Sequence, residues 1–219
     1  MTFSKIFLND SDIRIVKYQI SREVIRFLGV ARRCGYSNPV AIAQDPFSTR
    51  DILFPTIYHL SCPRLVKLIS RLEAGPFFKL FKKSVMPAGA FHEQYRELMS
   101  VYKSDIEKHV KKLYKFSNDA NLIKNYRLII IQSSDPKNFS DNYSEEVPEA
   151  ILPGNLFNSL IEKGLAGSRE IYAVKCLHAL YAYLIGREGR SEYAAFFKSM
   201  IEDEITSHYP EEFCNIFKH

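Results

Sequence analysis

Between Arg169 and Ile185 the apolar residues Ile171, Val174, Leu177, Leu180, Tyr181, Leu184 and Ile185 spread around most of the circumference of a helix turning at about 100° per residue. Such a pattern predicts a helix over Arg169 to Ile185 that must be covered on nearly every side. The rest of the chain has to supply that cover. With 219 residues, 46% of them hydrophobic, it is long enough to build one substantial core. The same stretch carries Lys175, Cys176 and His178. A lysine on a buried helix calls for a carboxylate, an anionic ligand or a lowered pKa, because burial penalises its charge.

The covering elements are legible upstream. An Asn-Asp-Ser-Asp cluster precedes Ile13, Val16 and Ile20 at helical spacing and predicts a helix over Asp10 to Ile20. Val24 to Arg33 and Pro39 to Gln44 are β-rich runs separated by the turn residues Gly35 to Asn38, a hairpin with Cys34 at its mouth. Phe54 to Leu60 reads as a third strand, with Pro55 placing it at an edge. Pro63 is suited to the first turn of a helix carrying Leu65, Leu68, Ile69 and Leu72, which puts Cys62 at its amino terminus. Phe77 to Val85 is a basic, aromatic helical segment, Ala88 to Phe116 supports a long helix, and Ser191 to Ile205 predicts another helix near the end. Arg127 to Gln132 has strand character, and the polar run from Ser133 to Pro148 reads as an exposed loop. The expected fold is a single α+β domain over residues 1–219. It comprises a small antiparallel sheet in the N-terminal part packed with several helices, a mostly helical C-terminal part, and an insertion or surface lobe at about 117–164.

Four cysteines without a CxxC pair do not make a disulfide framework, so they are read as thiols or metal ligands. Cys34, Cys62 and Cys176, one from each of three segments, form a candidate metal set for zinc or an iron–sulfur cluster, with His178 as the alternative to Cys176. On an intact helix Cys176 and His178 would lie about 200° apart and could not readily share an ion. Lys175 and His178 would instead share a face. Cys62 is the candidate nucleophile, since a helix amino terminus favours a thiolate, and Lys175 and His178 are the other catalytic candidates. His59, three residues before Cys62, would act as its base only if the strand end turned it back. Arg32, Arg33 and Arg64 flank the early cysteines and suit a phosphate or carboxylate. Cys214 falls in an aromatic tail read as peripheral.

No GxxxxGK[ST] loop, GxGxxG, HExxH or GxSxG motif is present, which removes support for the common nucleotide-binding and hydrolase classes. Every apolar run is interrupted by a charge well before the roughly 18 residues a membrane helix needs, so no membrane insertion is expected. The amino terminus does not match a secretory signal, and a cytoplasmic location is the expectation. A net charge of +5 permits a small anionic ligand without calling for nucleic acid. Arg64 to Lys83 holds six basic residues against Glu73. That basic surface supports the alternative, a non-catalytic module for a protein or RNA partner. Nothing in the pattern sets an oligomeric state.

Three blocks carry a resemblance: Val30 to Cys34 with Pro39 to Ile42, Phe54 to Pro63 through Ile69-Ser70-Arg71-Leu72-Glu73, and Val174-Lys175-Cys176-Leu177-His178-Ala179. In order and wording they resemble the "RC…P", "FPT…L(T/S)CP…IS.LE" and "KCLH" signatures of the bacterial family known as domain of unknown function 501 (DUF501), over roughly residues 10 to 85 and 165 to 200. The resemblance implies that the matching residues belong together at one place. It implies no reaction and no cofactor.

Overall fold

The computed structural model describes residues 10–22, 27–48, 52–53, 56–117, 150–170, 172–187 and 189–217. It is an α+β fold. Helix α1 spans Asp10–Ile20, as its capping cluster predicts. Strands β1 (Phe27–Arg33) and β2 (Pro39–Gln44) form the expected hairpin, pairing Arg33 with Pro39 and Phe27 with Gln44 through several register shifts. A two-stranded ladder of β3 (Phe47–Ser48) and β4 (Ile52–Leu53) follows. Strand β5 (Tyr58–Leu60) then pairs antiparallel with β2, setting Ile42 opposite His59, so the main sheet has the order β1-β2-β5. The third strand is shorter than the predicted Phe54 to Leu60, of which residues 54 and 55 lie outside the described residues.

Helix α2 (Pro63–Ala74) begins at its proline and buries Leu65, Leu68, Ile69 and Leu72 on a stripe of 3–4 spacing. Gly75 donates to the carbonyls of Arg71 and Leu72, ending α2 before α3 (Pro76–Val85), which buries Phe78, Phe81 and Val85. Helix α4 (His92–Leu113) is shorter than the predicted Ala88 to Phe116, because Tyr114–Ser117 forms a strand instead. The chain divides into two compact units, Met1–Tyr102 with Lys163–His219, and Lys103–Glu162. The latter contains the rest of α4, the parallel pair β6 (Tyr114–Ser117) and β7 (Ala150–Pro153), and α5 (Gly154–Glu162). The predicted strand at 127–132 and loop at 133–148 lie outside the described residues.

The apolar C-terminal helix is α6, Leu177–Gly186, and every residue in it except His178 is buried. It packs against the main sheet, α2 and α7 (Glu192–His208). Tyr183 meets Tyr58 and Tyr102 at ring separations of 6.3 and 5.0 Å. A Cβ on Gly186 would come within 2.8 Å of the Tyr58 ring, so only glycine allows α6 this approach to the sheet. The expected start near Arg169 is corrected, for residues 173–176 are extended and Cys176 is the N-cap. Val174 continues an apolar rhythm that its extended backbone does not follow. The tail is also not peripheral. Helix α8 (Pro210–Phe217) buries Phe213 and Ile216, and the Ile216 carbonyl accepts from Gly35 at the hairpin turn. Among the described residues no helix is long and apolar enough to cross a membrane.

Candidate metal centre

The late start of α6 creates the site. With Cys176 as N-cap and His178 in the first turn, the intact-helix separation of about 200° no longer applies, and Cys176 Sγ lies 3.9 Å from His178 Nδ1. The end of α2 supplies a carboxylate from more than 100 positions away in sequence. Glu73 Oε1 accepts a hydrogen bond from the Leu177 backbone N–H at 3.0 Å, meeting one of the unpaired donors of the helix amino terminus. Its other oxygen, Oε2, is 2.6 Å from His178 Nδ1. Among the described residues, Glu73, Cys176 and His178 form the one group of three or more potential metal ligands, with all ligand atoms within 4.8 Å of one another.

The far side of the imidazole settles which nitrogen faces this group as a donor of electrons. Ser70 donates its hydroxyl proton to the Val66 carbonyl at 2.8 Å. His178 Nε2 lies 3.0 Å from Ser70 Oγ and 3.2 Å from that same carbonyl oxygen. A carbonyl only accepts, so Nε2 carries a proton. Nδ1 of the neutral ring therefore faces the carboxylate and the sulfur with a lone pair, an arrangement that requires a cation among the three atoms. A proton meets that requirement: hydrogen bonding to Cys176, followed by the Glu73 charge, raises the His178 pKa above the ordinary histidine value despite partial burial. A metal ion would meet it once the imidazole and carboxylate part to ligand separation. Side-chain exposures of 27% for His178 and 25% for Glu73 leave the group open to solvent.

The other expected site residues lie elsewhere. Lys175 is exposed and precedes the helix, so the premise of a buried lysine sharing a face with His178 fails. Cys62 is the half-buried N-cap of α2. It stands about 16 Å along that helix from Glu73, at 1.5 Å per residue. Cys34 sits in the hairpin turn, where its N–H donates to Asn38. The expected set of Cys34, Cys62 and Cys176 is thus not a ligand group among the described residues; only Cys176 is in one. Arg33 is committed to a two-pronged ion pair with the buried Asp12, at 2.9 and 2.6 Å. Arg32 and Arg64 are exposed. His59 is not turned towards a base's role: its Nε2 bonds the Thr56 carbonyl at 2.9 Å, and burial pushes its pKa down to about 4. Glu73 and Ser70 were missed as site residues, although both stand in the "IS.LE" block.

The family model described as "Protein of unknown function (DUF501)" matches residues 30–127. Over that region the chain is similar to the DUF501 family. The match takes in Cys34, Cys62, Ser70 and Glu73 and stops short of Cys176 and His178. No curated protein and no solved structure matches the chain.

Proposed function

We propose that this protein binds a divalent metal ion, zinc by its donor chemistry, through Glu73, Cys176 and His178. The observation that carries this reading is the convergence of three electron-pair donors on one point, with the histidine's other nitrogen tied to Val66 and Ser70. Metal-binding histidines are commonly fixed in that way, by a hydrogen bond from the ring nitrogen that does not ligate. One thiolate, one imidazole and one carboxylate suit zinc, whereas an iron–sulfur cluster draws on several thiolates. Tetrahedral zinc bonds imply ligand separations of about 3.5 Å between sulfur and nitrogen and about 3.3 Å between nitrogen and oxygen. The sulfur–nitrogen distance is already near that value, and the imidazole and carboxylate need only part by about 0.7 Å. Three protein ligands leave a fourth position for water or a small anion, the arrangement of zinc sites that act on a ligand.

Titrating metal-free protein with zinc and, separately, with cobalt(II) tests the reading. Near-stoichiometric binding is expected, with a thiolate-to-cobalt absorption band that disappears in Cys176→Ser and persists in Cys34→Ser and Cys62→Ser. Equal loss in all three variants, or no saturable binding in the micromolar range, would sink it.

A further inference from the structure

A second candidate site lies away from the metal ligands, in a groove of about 460 Å³ lined by Phe77, Phe91, Phe196, Ser199, Met200, Asp203 and Glu204. Its chemistry is unlike that of the chain as a whole, which carries a net charge of +5. The groove holds four apolar side chains, two carboxylates and no cation. Phe196 remains 39% exposed although it packs edge-on against Phe91 at 5.3 Å and Phe197 at 5.1 Å. Asp203 is exposed and takes a hydrogen bond from Ser199 at 3.2 Å. Glu204 lies 3.6 Å from His208 Nδ1. One helix, α7, positions both halves: Phe196, Ser199, Met200 and Asp203 recur at intervals of three to four residues and so share a face.

An exposed aromatic surface beside carboxylates attracts an organic cation twice, through the ring faces and through the negative charge. A guanidinium satisfies both demands better than an ammonium, because it is planar, stacks on rings and is less strongly hydrated. We propose that this groove docks an arginine side chain, flanked by apolar residues, from a short segment of a partner protein. The volume is that of a site for a small ligand or a few side chains, and the charge complementarity excludes an acidic partner.

Of the three methionines among the described residues only Met200 lines this groove, while Met86 borders a separate apolar pocket with Lys82 and Tyr172. Methyl-labelled methionine therefore gives a local probe and an internal control. An acetylated, amidated Leu-Arg-Leu peptide should shift the Met200 methyl resonance saturably and leave Met86 unmoved. Asp203→Asn should weaken that response about tenfold, as expected for losing a charge-assisted contact. The undisturbed Met86 signal would report that the variant is folded. The same peptide with citrulline for arginine should give no response. An equal response to citrulline, or shifts at both methionines, would overturn the proposal. Binding of free arginine amide as tight as that of the peptide would assign the groove to a small cation instead. A Met200 shift that grows with protein concentration alone would assign it to a second copy of the chain.

Discussion

Two cysteines cap helices in this protein, each with a histidine close by in sequence, and the two pairs behave in opposite ways. Cys62 caps α2 and Cys176 caps α6, both in extended conformations and neither through a side-chain hydrogen bond. His59 beside the first is buried against the Thr56 carbonyl and is pushed towards its neutral form. His178 beside the second is drawn towards its protonated form. The ingredients are the same, and the differences are the deeper burial of His59, the Cys176 contact of His178 and Glu73. Arriving from the end of α2, its carboxylate meets both the helix amino terminus and the imidazole. Proximity of a thiol and an imidazole in sequence therefore says little until the third group is known.

The largest effect that can break this contrast is expected in acid. His59 has a depressed folded-state pKa, so its contribution to stability is present above the unfolded value near 6.5 and is lost as pH falls through about 4. The loss reaches at most about 3 kcal/mol, and comparing urea midpoints of the native chain and His59→Gln at pH 7 and pH 4 measures it. His178 has the opposite sign. In metal-free protein its contribution is present below about 6.5 and is lost as pH rises through its raised value. Imidazole NMR titration should place the two histidines on opposite sides of 6.5, and a shared midpoint would erase the comparison.

Zinc comes next. At about 100 times its dissociation constant it should stabilise the fold by roughly 2.7 kcal/mol, seen as a raised melting temperature that Cys176→Ser abolishes and Cys62→Ser retains. Glu73→Ala in metal-free protein should cost about 2 kcal/mol, since it strips partners from the Leu177 N–H and from His178 together. Glu73→Gln should recover part of this through the amide oxygen. The smallest effect, within about 0.5 kcal/mol, is expected for Cys62→Ala, whose sulfur makes no capping bond. A cost equal to that of Glu73→Ala would make the two helix starts equivalent after all.

The elements defined by local chemistry were legible in the sequence. Asp10–Ile20, the hairpin around Cys34 and the helix at Pro63 each carry their own start or turn signals. The start of α6 was not legible, because Ile171 and Val174 extend its apolar rhythm while the backbone donors that open the helix are met by a carboxylate 104 residues earlier. The same distance hid the site. Cys176 and His178 could be named from their types, but the helical spacing that set them apart depended on a helix boundary fixed elsewhere. In the sequence Glu73 stands as the one acid of a basic stretch, and Ser70 only as part of the "IS.LE" block.

That one carboxylate serves two masters has a consequence for how the molecule reports on itself. Oε1 holds the first peptide of the helix at the centre of the core, and Oε2 holds the ring at the solvent-facing site. Whatever draws Oε2 towards a new partner pulls on the first turn of α6, where the Leu180 N–H bonds the Cys176 carbonyl. Events at the surface should thus be readable in amide hydrogen exchange at Leu177 and Leu180, deep in the protein and away from the solvent that delivers them.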